Sequence, residues 1–342
     1  MRCGLSVGST ERGTAMGYSK EIYAAAAAEM ERRRQAALDT VEMHAEQAQL
    51  KIPELADIKA EIAGYGADVI GAVLGSDNSS DFVAALAEKS LAAQERRRTL
   101  LKENGFPEDY LEPKFLCSVC EDTGYTDSGL CSCMKGLLTE SALSEIEKYA
   151  PVSESRFDNF SLDYYSESLS SGAEPRKRME MVYNYCKGYA ADFSERSPSL
   201  FMHGATGLGK THLSLAIAGE AVRKGFGVIY VSAPNLFSSL EREKFNRSTS
   251  ADRYSEQEII DAELLIIDDL GAEFTTQVTV SSLYNLINSR LLANKPTIIS
   301  TNYTPKEFEE KYTQRVTSRI TGSYVSLMFF GKDIRQIKRN RA

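Results

Sequence analysis

The stretch from Leu200 to Thr211, reading LFMHGATGLGKT, carries the strongest chemical signal in the chain. Its first residues are mostly apolar and suit a buried parallel strand, and they run directly into the pattern G-x-x-x-x-G-K-T. Leu213, Leu215, Ala216, Ile217, Ala218 and Val222 then continue with helical spacing. Strand, glycine loop and helix in that order make a phosphate cradle. Gly204, Gly207 and Gly209 permit the tight backbone that turns successive N–H groups inward at the positive end of the helix. The whole loop, Gly204, Ala205, Thr206, Gly207, Leu208, Gly209, Lys210, Thr211 and His212, is read as the contact with a nucleotide. Lys210 would reach the β and γ phosphates, and the Thr211 hydroxyl would ligate magnesium. The bland alternative is a glycine-rich turn.

A second constellation lies about sixty residues on. Leu264 to Ile267 form an apolar run that ends in Asp268 and Asp269, two carboxylates at the tip of a buried strand. Asp268 would hold magnesium, and Asp269 would orient or deprotonate an attacking water. On its own the pair could be an ordinary surface turn; downstream of a phosphate loop it reads as the acidic half of a nucleotide site. Pro296 to Thr301 form another strand, ending at Asn302. The following helical stretch holds Arg315 and Arg319. His203 and His212, flanking the loop, are lone histidines that suit packing better than ligation.

The third constellation is a cysteine cluster. Cys117 and Cys120, then Cys131 and Cys133, give C-x2-C, ten residues, C-x-C. Each pair offers two thiolates to one ion, and Gly124 and Gly129 let the segment between them turn back, which suits tetrahedral zinc. An iron–sulfur cluster or a redox pair remains open on spacing alone. With four protein ligands no position is left for water, so the implied role is a structural staple.

The surrounding elements must place these groups. The chain has 342 residues, enough for two or three domains, with ordinary apolar and charged fractions of 42% and 26%. Its formal net charge of -8 argues against a generally basic nucleic-acid binder, so a DNA contact needs a local patch. No apolar run reaches the 18 residues or more that span a bilayer, and no secretory pattern opens the sequence. A cytoplasmic, reducing location is expected, with thiols or metal ligands in place of disulfides. Residues 1–17 are expected to be disordered, with Met16 an alternative start. Residues 18–106 read as an all-α domain of three helices, with Ile22, Ala26, Met30, Val41 and Ala48, then Leu55, Ile58 and Ile62, then Phe82, Val83, Leu86, Leu91, Leu100 and Leu101 facing inward. Residues 107–135 form the cysteine module and 136–195 a linker with leading helices. In that linker the aromatics of 156–165 either meet an adenine ring or tack the linker to the core. Residues 196–342 form an α/β domain with a parallel sheet, whose last strand from Tyr324 to Phe330 runs into a basic tail, Lys332 to Arg341.

Taken together, the phosphate loop, Asp268-Asp269, Thr301-Asn302 and Arg319 resemble the AAA+ ATPases, and within them the DnaC/DnaI type of bacterial replicative helicase loader. Cys-x-x-Cys-x-Asp-Thr-Gly-Tyr ahead of the ATPase strengthens that resemblance. It implies ATP, Mg2+ and Zn2+ as cofactors, and hydrolysis that is weak in a monomer. It also implies Asn302 as a polar sensor, Arg319 as a finger acting on a neighbour's ATP, and Arg335 as a sensor of the γ phosphate in its own subunit. The implied partners are a hexameric replicative helicase, single-stranded DNA and further copies of the chain in an ATP-dependent oligomer, with no membrane. Only about a dozen residues follow Phe330, so the lid is expected to be truncated. An IstB-like transposition helper shares the same core, although that family usually lacks a cysteine module. A small-molecule kinase or metabolic ATPase is the remaining alternative and leaves Arg319 unexplained. For DNA, the candidates are Arg242, Lys244 and Arg247 interleaved with Phe237 and Phe245, with the tail (Lys332, Lys338, Arg339, Arg341) second.

Overall fold

The structure, a computed structural model, describes residues 17–74, 80–167, 174–245 and 254–341. Residues 1–16, expected to be disordered, and Arg247 lie outside them. The described chain forms two compact units, one spanning Ala26–Met134 and the other made of the rest.

In the smaller unit, α1 (Lys20–Lys51), α2 (Glu54–Leu74) and α3 (Ser80–Glu103) are helices. Pro53 separates the first two. Gly64, Gly66 and Gly71, which a propensity argument counts against α2, lie within one continuous helix. The packing is thin: Ala48, Ile52, Leu55 and Leu101 make a small core, with Phe106 and Tyr110 against it. Phe82 and Leu91, expected to face inward, are exposed. The basic residues of α1 and α3 lie on solvated faces, with Arg32 and Arg33 paired to Glu29 and Arg96 to Glu61. A two-stranded hairpin, β1 (Tyr125–Thr126) and β2 (Gly129–Leu130), lies between the cysteine pairs.

The larger unit is a three-layer α/β fold. After α4 (Ser132–Glu147) and α5 (Pro175–Ala191) come β3 (Ser199–His203), α6 (Lys210–Arg223), β4 (Val228–Ser232), α7 (Ala233–Lys244), α8 (Glu256–Asp261) and β5 (Leu264–Leu270). They are followed by α9 (Gln277–Leu292), β6 (Thr297–Thr301), α10 (Pro305–Ser323), β7 (Tyr324–Met328) and α11 (Ile334–Arg341). The sheet order is β4-β5-β6-β3-β7, all parallel. Buried on both faces, its strands read as near-continuous apolar runs, as a parallel sheet requires. Chain order reverses at β3, which lies between β6 and β7, and ligands of open parallel sheets bind at such a crevice beyond the strand ends. Where the sequence suggests a tail after β7, the structure has the short helix α11. No helix among the described residues is long and apolar enough to cross a membrane.

Candidate functional site

The glycine loop, the Asp268-Asp269 tip and Asn302 meet at the carboxyl ends of β3, β5 and β6. They line a cavity of about 390 Å³ together with Asn159, Phe160, Tyr164, Arg335 and Lys338. The loop is braced from the C-terminal side: the Ile334 N–H donates to the Gly207 carbonyl at 3.0 Å. A Cβ at Gly207 would lie 2.0 Å from an Asp333 carboxylate oxygen, and its φ is +74°, so only glycine fits.

Lys210 opens α6 and is almost fully buried. Its ammonium donates to the carbonyls of Gly204 and Ala205 at 2.7 Å each and to Asn302 Oδ1 at 2.8 Å. Burial lowers its pKa to about 8, with Asp269 and Asp268 pulling the other way. Thr211 Oγ1 donates to Asp268 Oδ2 at 2.9 Å, and Tyr230 OH donates to that same oxygen at 2.7 Å. Ser300 Oγ donates to Asp268 Oδ1 and accepts from the Asp269 N–H at 2.9 Å. A carboxylate and a hydroxyl this close are the hard oxygen donors that suit magnesium.

Asp269 differs from its neighbour. The ladder between β5 and β6 slips between Ile267 and Leu270, and Asp269 takes a left-handed φ of +56° that turns its side chain out of the sheet. Burial and then Asp268 raise its pKa, while Lys210, Arg335 and Asn302 oppose the shift. Asn302 donates from Nδ2 to Asp269 Oδ1 while accepting from Lys210, bridging the loop and the acidic tip.

Arg335, at the start of α11, lines the cavity. Arg319, on α10, is exposed and does not line it. His203 is packed under the loop, stacked on Phe201 with Nε2 3.0 Å from Ser326 Oγ. His212 lines the cavity, yet its Nε2 lies 2.9 Å from the Arg156 carbonyl. The aromatics of 156–165 divide between the loop and the cavity. Tyr165 OH donates to the Leu208 carbonyl at 2.9 Å and so tacks the segment down, whereas Phe160 and Tyr164 face the cavity. Of the DNA candidates, Phe237 is 6% exposed and belongs to the core, so it cannot stack on a base; Phe245, 56% exposed, can. Lys338 lies 5.3 Å above the Tyr164 ring at the cavity.

Sequence reasoning missed Tyr230 and Ser300. Ser300 carried a usable signal, a small polar residue inside an apolar strand two positions before Asn302. Tyr230 carried none, since tyrosine is ordinary in a strand.

Residues 170–320 match the family model of the IstB-like ATP binding protein. Among characterised proteins, the replicative helicase loader DnaC of Escherichia coli K12 is 24% identical over 132 residues, which are 39% of this chain and 54% of that protein. The chain carries a DnaC/IstB-type AAA+ domain. An ATP-binding protein of an insertion sequence in Mycobacterium tuberculosis is 29% identical over 110 residues, 32% of this chain and 43% of the relative. The matched stretches therefore span about half the length of these relatives. The crystal structure of the DnaC helicase loader aligns with a TM-score of 0.41 at 21% identity, covering 51% of this chain and 98% of that one. The matched family is one of ATP-binding proteins, and Arg319 does not line the cavity.

Outside that domain, Cys117, Cys120, Cys131 and Cys133 bring their Sγ atoms within 4.8 Å of one another. The Cys117–Cys131 and Cys120–Cys133 separations are 3.8 and 3.4 Å. A tetrahedron with Zn–S bonds of about 2.3 Å has edges of about 3.8 Å, so the cluster fits zinc. The knuckle is held locally: the buried Asp122 carboxylate accepts from the Leu116 and Cys117 N–H groups at 2.8 and 3.0 Å. Cys133 falls in the first turn of α4.

Proposed function

We propose that the protein is an ATP-dependent loader that places a hexameric replicative helicase on single-stranded DNA, with ATP binding and hydrolysis acting as a switch. The observation that carries this reading is the division of the site. Lys210, Thr211, Asp268, Asp269, Asn302 and Arg335 converge on one cavity, while Arg319 stands exposed on α10. An arginine so placed serves the ATP of another copy, which makes hydrolysis a property of an oligomer. The name of the Escherichia coli relative supports the helicase as cargo.

In this mechanism Lys210 binds the β and γ phosphates, Thr211 and Asp268 hold magnesium, and Arg335 reads the γ phosphate in its own subunit. Magnesium when bound neutralises charge between those phosphates. Asp269, its pKa raised, accepts a proton from the attacking water, and Asn302 fixes that carboxylate and Lys210 together. Residues 18–106 hold the helicase, and the cysteines of 107–135 bind one Zn2+ as a staple. The test is ATP-dependent recruitment of a hexameric helicase to single-stranded DNA by the full chain. Absence of any helicase complex would end the loader reading. The second reading is an IstB-like transposition helper, favoured by the family model and by the insertion-sequence relative. It predicts capture of a transposase in place of the helicase.

A further inference from the structure

Helix α10 is broken at one residue. Thr313 has φ +70° and ψ +152° inside it, a conformation that is essentially confined to glycine and costs a β-branched residue about 1–3 kcal/mol. Such a conformation persists only where its surroundings over-determine it. On the far side of the break, Val316 and Ile320 are anchored in the domain core while Arg315 and Arg319 face solvent. On the near side, the anchors are the loops that leave the nucleotide site. Tyr312 is fully buried and donates its hydroxyl to Glu273 Oε1; Glu273 Oε2 accepts from the Gly271 N–H at 2.8 Å. Lys311 Nζ donates to the Gly271 carbonyl at 2.7 Å and to Tyr303 OH at 2.9 Å.

Gly271 and Tyr303 belong to the two loops that leave the site. Gly271 is two residues after Asp269, in a turn closed by the Ala272 N–H on the Asp269 carbonyl, and Tyr303 directly follows Asn302. They touch so closely that a Cβ at Gly271 would lie 2.2 Å from the Tyr303 ring. Glu273 is a buried carboxylate satisfied by two donors, one from the acidic loop and one from α10. Burial and then Glu273 raise the Tyr312 pKa, so its hydroxyl remains a donor at physiological pH. A packed core alone would account for the break, since Phe308, Tyr312, Val316 and Ile320 step by four and an unbroken helix would drift about 40° per step. It would not account for a buried carboxylate that joins the break to the Asp269 turn, where an apolar side chain would serve the core equally well.

We propose that Tyr312 and Lys311 are positioning residues: through Glu273 and Gly271 they tie the arginine-bearing half of α10 to the loop after Asp269, so that the Arg319 a subunit offers its neighbour follows the state of its own nucleotide site. This rests on the reading of Arg319 as a finger acting in trans.

The test is hydrogen–deuterium exchange of the full chain, diluted to a monomer, with and without a non-hydrolysable ATP analogue and magnesium. In the wild type, the analogue slows exchange in 269–275 and, by about threefold or more, in 314–323, although none of the latter lines the cavity. In Tyr312→Phe the analogue binds within about twofold of the wild-type affinity and still protects 269–275, while the response of 314–323 is lost. Glu273→Gln, whose amide would set an N–H against one of the two donors, gives the same loss and stands in if Tyr312→Phe does not fold. Equal responses of 314–323 in wild type and variant, or no response in either, overturn the proposal while leaving the site reading intact. Failure of the analogue to bind the wild type overturns both.

Discussion

The two units are held together by different physics. In the AAA+ domain, Phe201, Leu265, Ile267, Leu283, Ile299, Phe308 and Val316 form one continuous core on one face of the sheet, while Leu200, Leu264, Ile266 and Ile298 are buried on the other. α1, most of which lies in the smaller unit, runs for 32 residues and buries only Ala26, Met30 and Ala48, and among the described residues Ala48, Ile52, Leu55 and Leu101 form a small core cluster with Phe106 and Tyr110 against it. A unit that buries so little apolar surface gains stability from a cross-link, and the four sulfurs are the cross-link at hand. The site in the larger domain is a consequence of its fold; in the smaller unit, a metal at the four cysteines would make the fold a consequence of the site.

The sharpest way to break that contrast is to disable the four cysteines as a metal site. Structural zinc contributes about 10–16 kcal/mol in small zinc-dependent folds, so a strong chelator, or Cys117→Ser or Cys131→Ser, should unfold the 107–135 region while ATP affinity stays within about twofold. Metal analysis should give about one zinc per chain, lost in either variant. Iron, no metal, or a joint loss of ATP binding would show that the units are not independent in this way.

The next largest effect concerns Arg319. Arg319→Ala should keep ATP affinity and lose about 10³-fold or more in the turnover of the assembled state. Lys210→Ala should lose ATP binding. Mixing the two variants pairs an intact site with an intact arginine and should restore part of the activity; no recovery would mean that Arg319 does not act across subunits.

The same contrast governs how much the sequence reveals. Phosphate binding depends on backbone shape, which forces glycines and a lysine to fixed spacing, so the strand, loop and helix around Lys210 are legible directly, as are the four cysteines. Packing between long polar helices leaves weaker marks. Leu91 and Phe82 fit a helical apolar stripe yet are exposed. Phe237, a candidate base-stacking residue, was claimed by the core instead. Most hidden are groups that act through another residue. The turn of Asp269 out of its strand, the Glu273–Tyr312 contact and the break at Thr313 are set by tertiary contacts across tens of residues, and no local pattern encodes them.

A smaller effect comes from pH. Lys210 is held near 8 in the ligand-free protein, and the ammonium is the form that binds phosphate. Bound phosphates raise that pKa, so ATP affinity should be flat below pH 8 and fall above it by up to about tenfold per unit, with proton uptake on binding. Calorimetry in buffers of different ionisation enthalpy at pH 8.5 reads that uptake. A flat affinity across pH 7 to 9 would contradict the burial of the ammonium.

Tyr230 gives the finest test, because its fold role and its site role predict different outcomes. Its ring is part of the sheet, and its hydroxyl lies 2.7 Å from the Asp268 oxygen that also accepts from Thr211. With Ser300 on the other oxygen, three hydroxyls fix the plane of the carboxylate. Tyr230→Phe keeps the ring and removes one donor to a buried charge, a loss of about 1.5–3 kcal/mol before relaxation. If the hydroxyl only satisfies a buried oxygen, the variant melts earlier and hydrolysis keeps its metal dependence. If it orients Asp268 for magnesium, the concentration of Mg2+ giving half-maximal hydrolysis rises about three- to tenfold, while ATP affinity measured in EDTA does not change. An unchanged or lower magnesium requirement would return Tyr230 to the core and leave Thr211 and Ser300 as the groups that hold the carboxylate.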